Sequence, residues 1–426
     1  MGTPIAGQLD DIGWLRNNAI PIRCVDPGSG FDDLQALKPL FEGAKIVGLG
    51  ESAHGVREFY TLKHRLIELL VVELGFTALA LEASFAGCQP INDYVRHGIG
   101  DRAVVLTGQH YMAWDTEEFA ALLDWLRDHN KDVPDDRKVA FYGLDTGFNS
   151  VGRQAVGEFL ARVAPDRLTS AEATFAVLRD LESKWPFRLD DTDATSISGC
   201  HERLGELLDY LSDVSGRLAA SSSPTEVDRI REFVRVMRQW TEPGFARSRH
   251  MGENLVQIVQ RERPDAKFIV WQANAHVGRR MLFHDETSLG DVAQDTYGGA
   301  YRPFALEFGE GCFLTRTLTA SNEPSELVET VMTSPPEGSL PRYLSQVGAD
   351  VFALDARGST TGTGHEQWLT MELPEHGCMW YYTDPSTLYH AAKVAQHYDG
   401  LFFVQHITAA RPTDQAMRGA ALGERF

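Results

Sequence analysis

Seven short runs of apolar residues recur along the chain: Lys45–Leu49 (KIVGL), Thr77–Leu81 (TALAL), Lys138–Leu144 (KVAFYGL), Lys267–Gln272 (KFIVWQ), Pro303–Phe308, Asp350–Leu354 and Leu401–Val404. Most lack the polar alternation of a half-exposed strand, as expected for strands covered on both faces. A different period separates them. In Arg57–Leu74, residues Phe59, Leu62, Leu66, Leu69 and Leu70 recur at intervals of three and four, the stripe of an amphipathic helix, and Gly75 supplies its stop. Phe119–His129 reads as a second helix. Strand–helix–strand alternation requires right-handed crossovers, so the pattern predicts an α/β fold with a mainly parallel sheet flanked by helices.

The stretch from about Gln154 to Arg263 contains no convincing strand. Helical patterns occupy Ala155–Val163, Ala171–Lys184, His201–Leu218 and Glu226–Trp240, the last preceded by a Ser221-Ser222-Ser223-Pro224 helix start. The expected division is an α/β core of residues 1–153 and 264–426 with an all-helical insertion at 154–263. Gly358–Gly364 (GSTTGTG) reads as a flexible loop.

Charge narrows the ligand classes. With 40 Lys and Arg against 60 Asp and Glu, the 426-residue chain carries a formal charge of −20. Such a field repels phosphate backbones and disfavours nucleic acid, while it favours a cationic ligand. No apolar run reaches the ~18–20 residues of a membrane span. The N-terminal MGTPIAGQLDDIGWLRNN lacks the basic and apolar regions of a signal peptide. The five cysteines never lie closer than 64 positions, which excludes short-spaced metal motifs and argues against a disulfide framework. A cytoplasmic protein with a small-molecule substrate, no membrane partner and no cofactor is the expectation.

Candidate chemistry gathers where the apolar runs end. Gly50-Glu51-Ser52-Ala53-His54-Gly55 follows the first, Glu82 the second, Asp145 the third and Asn274-Ala275-His276 the fourth. The carboxyl ends of parallel strands form the ligand crevice of an open α/β sheet. Glu51 and His54, three apart, can share one side of a turn, where a carboxylate fixes the imidazole's tautomer and lets it draw a proton from water. Lys63 and Arg65, early in the following helix, can reach the same crevice, although a solvated, snorkelling Lys63 is the better expectation. Gly48-x-Gly50-x-x-Ala53 resembles a dinucleotide fingerprint, but Glu51 would repel the pyrophosphate, and Glu82 lies 32 rather than about 20 residues beyond Gly50. Ser52 does not sit in a G-x-S-x-G elbow. Two carboxylates and two imidazoles leave a metal site open as an alternative.

These residues resemble the erythromycin esterase family. The resemblance runs through I-V-G-L-G-E-S-A-H-G-V-R-E-F (Ile46–Phe59), L-K-H-R-L (Leu62–Leu66), E-L-G-F-T-A-L-A-L-E (Glu73–Glu82), A-W-D-T-E-E-F, R-H-M-G-E-N (Arg249–Asn254) and V-W-Q-A-N-A-H (Val270–His276). It implies an α/β core with an added helical part and metal-independent opening of a macrocyclic lactone by His-activated water. Glu51, His54, Glu82 and His276 are then the catalytic positions, with Lys63, Arg65, Asn274 and Asp145 toward the substrate and no metal bound. A macrolide with a cationic amino sugar is the implied ligand, and antibiotic resistance a possible role. Three departures point to an altered substrate or reaction, such as a cyclase, lyase or acyl transfer. Lys63 stands where macrolide-cleaving members carry Arg, Ala273 where the family has His, and Ser248 where Asp is common.

Overall fold

The computed structural model describes residues 6–184, 191–244, 246–280, 287–318, 324–357, 367–377, 381–382 and 388–421. The Gly358–Gly364 loop lies outside them. The predicted strands form as β2 (Ile46–Leu49), β3 (Ala78–Ser84), β4 (Ala140–Asp145), β5 (Phe268–Trp271), β6 (Tyr301–Leu318), β8 (Val351–Asp355) and β12 (Gly400–Ile407). With β1 (Ile20–Pro21), β7 (Pro324–Met332) and β10 (Tyr381–Tyr382) they make one ten-stranded sheet. Its main path runs β1-β8-β12-β6-β2-β5-β3-β4. The six strands from β12 to β4 are mutually parallel, whereas β8 and β1 add antiparallel pairings at one edge. A separate pair, β9 (Leu373–His376) and β11 (Tyr389–Ala392), stands apart.

The absence of alternation in the central strands has the expected cause. Every residue of β2, β3 and β5 is buried. Successive side chains point to opposite faces and enter two cores. Val47, Leu49, Leu79, Leu81, Ile269 and Trp271 pack with the helices Arg57–Val72 and Glu117–Lys131 on one face. Ile46, Ala78, Ala80, Phe268 and Val270 pack with Met251, Leu255, Ile258 and Val259 of the helix Arg247–Arg261 on the other. Local signals set the helix ends. Thr116 accepts the Phe119 N–H at 3.2 Å, and Ser223 accepts that of Glu226 at 3.1 Å ahead of a helix beginning at Pro224. Gly75 takes the left-handed φ of 70° just past the end of Arg57–Val72.

The middle of the chain is helical: Ser150–Val163, Pro165–Lys184, Asp191–Asp213, Ser215–Ala220, Pro224–Trp240 and Arg247–Arg261. The first five share a core of their own, with Val156, Phe159, Phe175, Leu204, Ile230 and Phe233 among its members. The sixth belongs by packing to the sheet. Several strands outrun their apolar runs, β12 among them in reaching Ile407, and two do so with more consequence. β3 runs three residues past Leu81, so Glu82 lies inside the strand rather than beyond it, and β6 extends to Leu318 and folds back on β7 as a hairpin. Neither extension is a continuous apolar run, which is why the pattern of hydrophobic residues missed both.

Candidate active site

β2, β3, β4 and β5 bring their carboxyl ends to one edge, and the polar residues there fall into two groups. The first is built on Glu51. Gly50, just before it, lies so close to Asn274 that a Cβ would collide with the Asn274 Oδ1. Glu51 is fully buried, yet both its oxygens are occupied. Oε1 lies 2.5 Å from His54 Nδ1, while Oε2 accepts from Lys63 Nζ at 2.7 Å and Trp271 Nε1 at 2.9 Å. The Lys63 ammonium also sits 4.6 Å from the centre of the Trp271 ring. A buried carboxylate needs such partners, because breaking a buried ion pair costs about 3–5 kcal/mol.

The second group is built on Arg247, at the start of its helix. Its Nε donates to Asp145 Oδ2 at 2.8 Å and its Nη2 to Glu82 Oε1 at 3.0 Å, with a further Nη2 contact to Asp145. Tyr111 Oη donates to the same Asp145 oxygen at 2.7 Å, and the Ala273 N–H to Glu82 Oε2 at 2.9 Å. His276 Nε2 stands 3.4 Å from Glu82 Oε1 and 3.3 Å from Arg247 Nη1, while its Nδ1 meets Ser248 Oγ at 2.9 Å. Burial alone would raise the Glu82 carboxyl, but the charges of His276 and Arg247 prevail and hold it well below the usual carboxylate range. Arg247 in turn is held well above its ordinary value against the effect of burial, chiefly by Asp145 and Glu82.

Trp114 joins the groups. Its Nε1 donates to the Glu82 carbonyl at 2.8 Å, and its ring stands edge-on to His54 with centroids 5.3 Å apart. Arg247 keeps 24% of its side chain exposed and His276 keeps 12%, so this side of the edge can meet a ligand.

Glu51, His54, Glu82, Asp145 and His276 are thus gathered at one edge. The other expected substrate contacts are placed differently. Lys63 is fully buried beneath Glu51, neither snorkelling nor facing the crevice, because Glu51 and the Trp271 face need its charge. Arg65 points away: its guanidinium pairs with Asp33 and reaches the carbonyls of Cys24 and Gly30, which fastens the N-terminal segment. Asn274 turns inward, donating to the Leu306 carbonyl at 3.1 Å and accepting the Leu306 N–H at 3.0 Å, so it staples β5 to β6. Ser52 is completely buried, which removes it as a nucleophile. Among the described residues no three His, Cys, Asp or Glu side chains are grouped to hold a metal ion. Sequence reasoning passed over Arg247, Trp114, Tyr111 and Trp271. Arg247 lies just two residues before the R-H-M-G-E-N segment, and Trp114 within A-W-D-T.

The fold and this edge define an α/β protein with carboxylate–imidazole pairs at the ends of parallel strands. The erythromycin esterase family is matched over residues 71–407, and the chain belongs to that family. It is 33% identical over 133 residues, 31% of its length, to the type II erythromycin esterase of Escherichia coli, and it spans 30% of that relative's length. It is 23% identical over 421 residues to YbfO of Bacillus subtilis (strain 168), which carries a provisional hydrolase name; 93% of this chain and 90% of that one are covered. Among solved structures, a Bacillus cereus protein superposes with a TM-score of 0.79 at 23% identity, covering 96% of this chain and all of the other. A mutant of the erythromycin esterase EreC in its open conformation gives 0.69 at 16% identity, covering 90% of this chain and 96% of that one. The likenesses to the solved structures support the α/β fold. Among the described residues no helix is long and apolar enough to cross a membrane.

Proposed function

We propose that the chain is a carboxylic ester hydrolase that opens a macrocyclic lactone with water activated by His54. One contact carries the reading: His54 Nδ1 lies 2.5 Å from a buried Glu51 oxygen at the end of β2. With Nδ1–H donated to Glu51, Nε2 is the nitrogen that takes a proton from water, and the carboxylate stabilises the imidazolium that forms. Hydroxide adds to the ester carbonyl. The Arg247 guanidinium, fixed by Glu82 and Asp145, stabilises the oxyanion. As the ester C–O bond breaks, the leaving alkoxide takes a proton from His54 or His276. Lys63 pairs with Glu51 Oε2 from the far side and stays away from the substrate.

The acidic chain would attract the cationic amino sugar of a macrolide. The crevice carboxylates already have cationic partners, which leaves that role to the surrounding surface. A family relative with altered chemistry is the second reading. It is favoured by Ala273, a buried methyl where the resemblance implies an imidazole, and by Ser248 beside His276.

Incubation with a panel of macrolides, read by mass spectrometry, tests the first reading. A product heavier by one water, absent with His54→Ala, is expected. Macrolides recovered unchanged by active, folded protein would remove them as substrates.

A further inference from the structure

A second pairing of a hydroxyl with an imidazole lies outside the Glu51 and Arg247 groups. His110 Nε2 is 2.5 Å from Ser150 Oγ, at the start of the helix Ser150–Val163. The two residues come from separate segments, and the backbone around them is unusual. His110 at φ 70° and Phe148 at φ 51° are two of just three non-glycine residues with positive φ among the described residues, and their rings stack at 6.0 Å. Such conformations cost of order 1–3 kcal/mol each and gather at functional sites. Here one of them is the histidine that meets the Ser150 hydroxyl. Burial lowers the proton affinity of His110, which favours the neutral imidazole that a base requires.

Ser150 also lines an open cleft of about 670 Å³. The cleft is also lined by the apolar Leu168, Ala161 and Phe175 and by Arg153, Arg179, Glu158 and Glu172, with Arg153 paired to Glu182 at 2.7 Å. Asn149, at the head of the helix, gives its side chain to the Thr146 carbonyl at 2.6 Å rather than to the first helical N–H groups. Glu182 accepts the Asn149 N–H at 2.9 Å and is itself neutralised by Arg153 at 2.7 Å, so the helix start beside Ser150 carries a compensated charge.

We infer that Ser150 and His110 form a second, nucleophilic ester-cleaving site, which takes small uncharged carboxylic esters with an apolar acyl chain. Ser150 Oγ adds to the ester carbonyl while its proton passes to His110 Nε2. The ester C–O bond then breaks, and His110 returns the proton to the leaving alcohol. Water, deprotonated by His110, releases the carboxylic acid and restores the serine. This chemistry leaves a covalent acyl-serine, which the His54 route does not form.

A fluorophosphonate probe, read by intact mass and peptide mapping on the full-length protein, separates the two. One adduct on Ser150 is expected in the wild type and in His54→Ala, with no adduct in Ser150→Ala. In His110→Gln, checked by circular dichroism for native fold, labelling should slow at least ten-fold. A burst of p-nitrophenol from p-nitrophenyl acetate that survives His54→Ala should accompany it. No adduct in the wild type, an adduct confined to another residue, or an unchanged labelling rate in His110→Gln overturns the inference and leaves the His54 reading untouched.

Discussion

The two groups at the sheet edge solve the problem of buried charge in different ways. Around Glu51 one carboxylate is met by three donors from three segments: His54 from its own loop, Lys63 from the next helix and Trp271 from β5. Glu51 and Lys63 are wholly enclosed and His54 nearly so. Around Arg247 the geometry is inverted, with one guanidinium serving two carboxylates and leaving part of itself and of His276 exposed. The first arrangement suits a base whose tautomer must not change. The second suits a group that meets varying charge on a ligand. The Lys63, Ser248 and Ala273 departures touch both groups: Lys63 supports the first, while Ser248 and Ala273 adjoin the second.

His54→Ala should give the largest effect, lowering kcat/KM by about 10²–10⁴ as expected for loss of a general base. Circular dichroism should show a native fold. A variant that keeps more than half of wild-type kcat/KM would take the base away from the Glu51 group altogether.

Arg247→Gln should cost about 10²–10³ in kcat if the guanidinium stabilises an oxyanion. It also removes the cation that Glu82 and Asp145 share, so stability should fall by up to about 3–5 kcal/mol. The pH dependence carries the sign. Glu82 is held well below 4.5 in the folded chain, so its contribution is present above its unfolded value and is lost as pH falls through the depressed one. Without Arg247 that loss begins at higher pH. The acid-unfolding midpoint, followed by circular dichroism, should move upward; an unmoved midpoint would mean that Arg247 does not hold Glu82.

Lys63→Met tests whether the first group is a closed unit. Removing the cation leaves Glu51 with His54 and Trp271 and strengthens the carboxylate's pull on the imidazolium. The acid limb of the kcat/KM profile should move to higher pH, with KM little changed. A rise in KM with an unmoved limb would place Lys63 against substrate instead.

Ala273→His should have the smallest and most informative effect. If the Arg247 group lacks only an imidazole, kcat/KM on erythromycin should rise. If the space is rebuilt for another ligand, the native reaction should suffer and erythromycin should remain untouched. Negligible rates in both proteins would take macrolides out of the proposal and leave the fold as it is.

Much of this was legible in one dimension. A buried parallel strand is a short apolar run whatever surrounds it, because both of its faces need apolar cover; six of the seven runs became parallel strands, and the seventh became β8, antiparallel at the edge. The Glu51–His54 pair was equally readable, because three residues of backbone suffice to close it. Glu82, Asp145 and His276 were legible as neighbours because the carboxyl ends of adjacent parallel strands lie side by side at one edge of the sheet.

Tertiary structure decided everything that depends on a partner distant in sequence. Lys63 and Arg65 are two residues apart on one helix, and nothing local assigns one to Glu51 and the other to Asp33. Asn274 sits beside the crevice in sequence but is drawn inward by the Leu306 backbone, because an exposed amide there would leave that ladder unpaired. Arg247 was invisible because an arginine at a helix start signals nothing until 102 and 165 positions of chain separation close to bring Asp145 and Glu82 to it. Periodicity records which face a residue turns to the core. Which charge it will neutralise there is set by long-range packing, since Coulomb energy depends on distance in space and on the dielectric that burial creates.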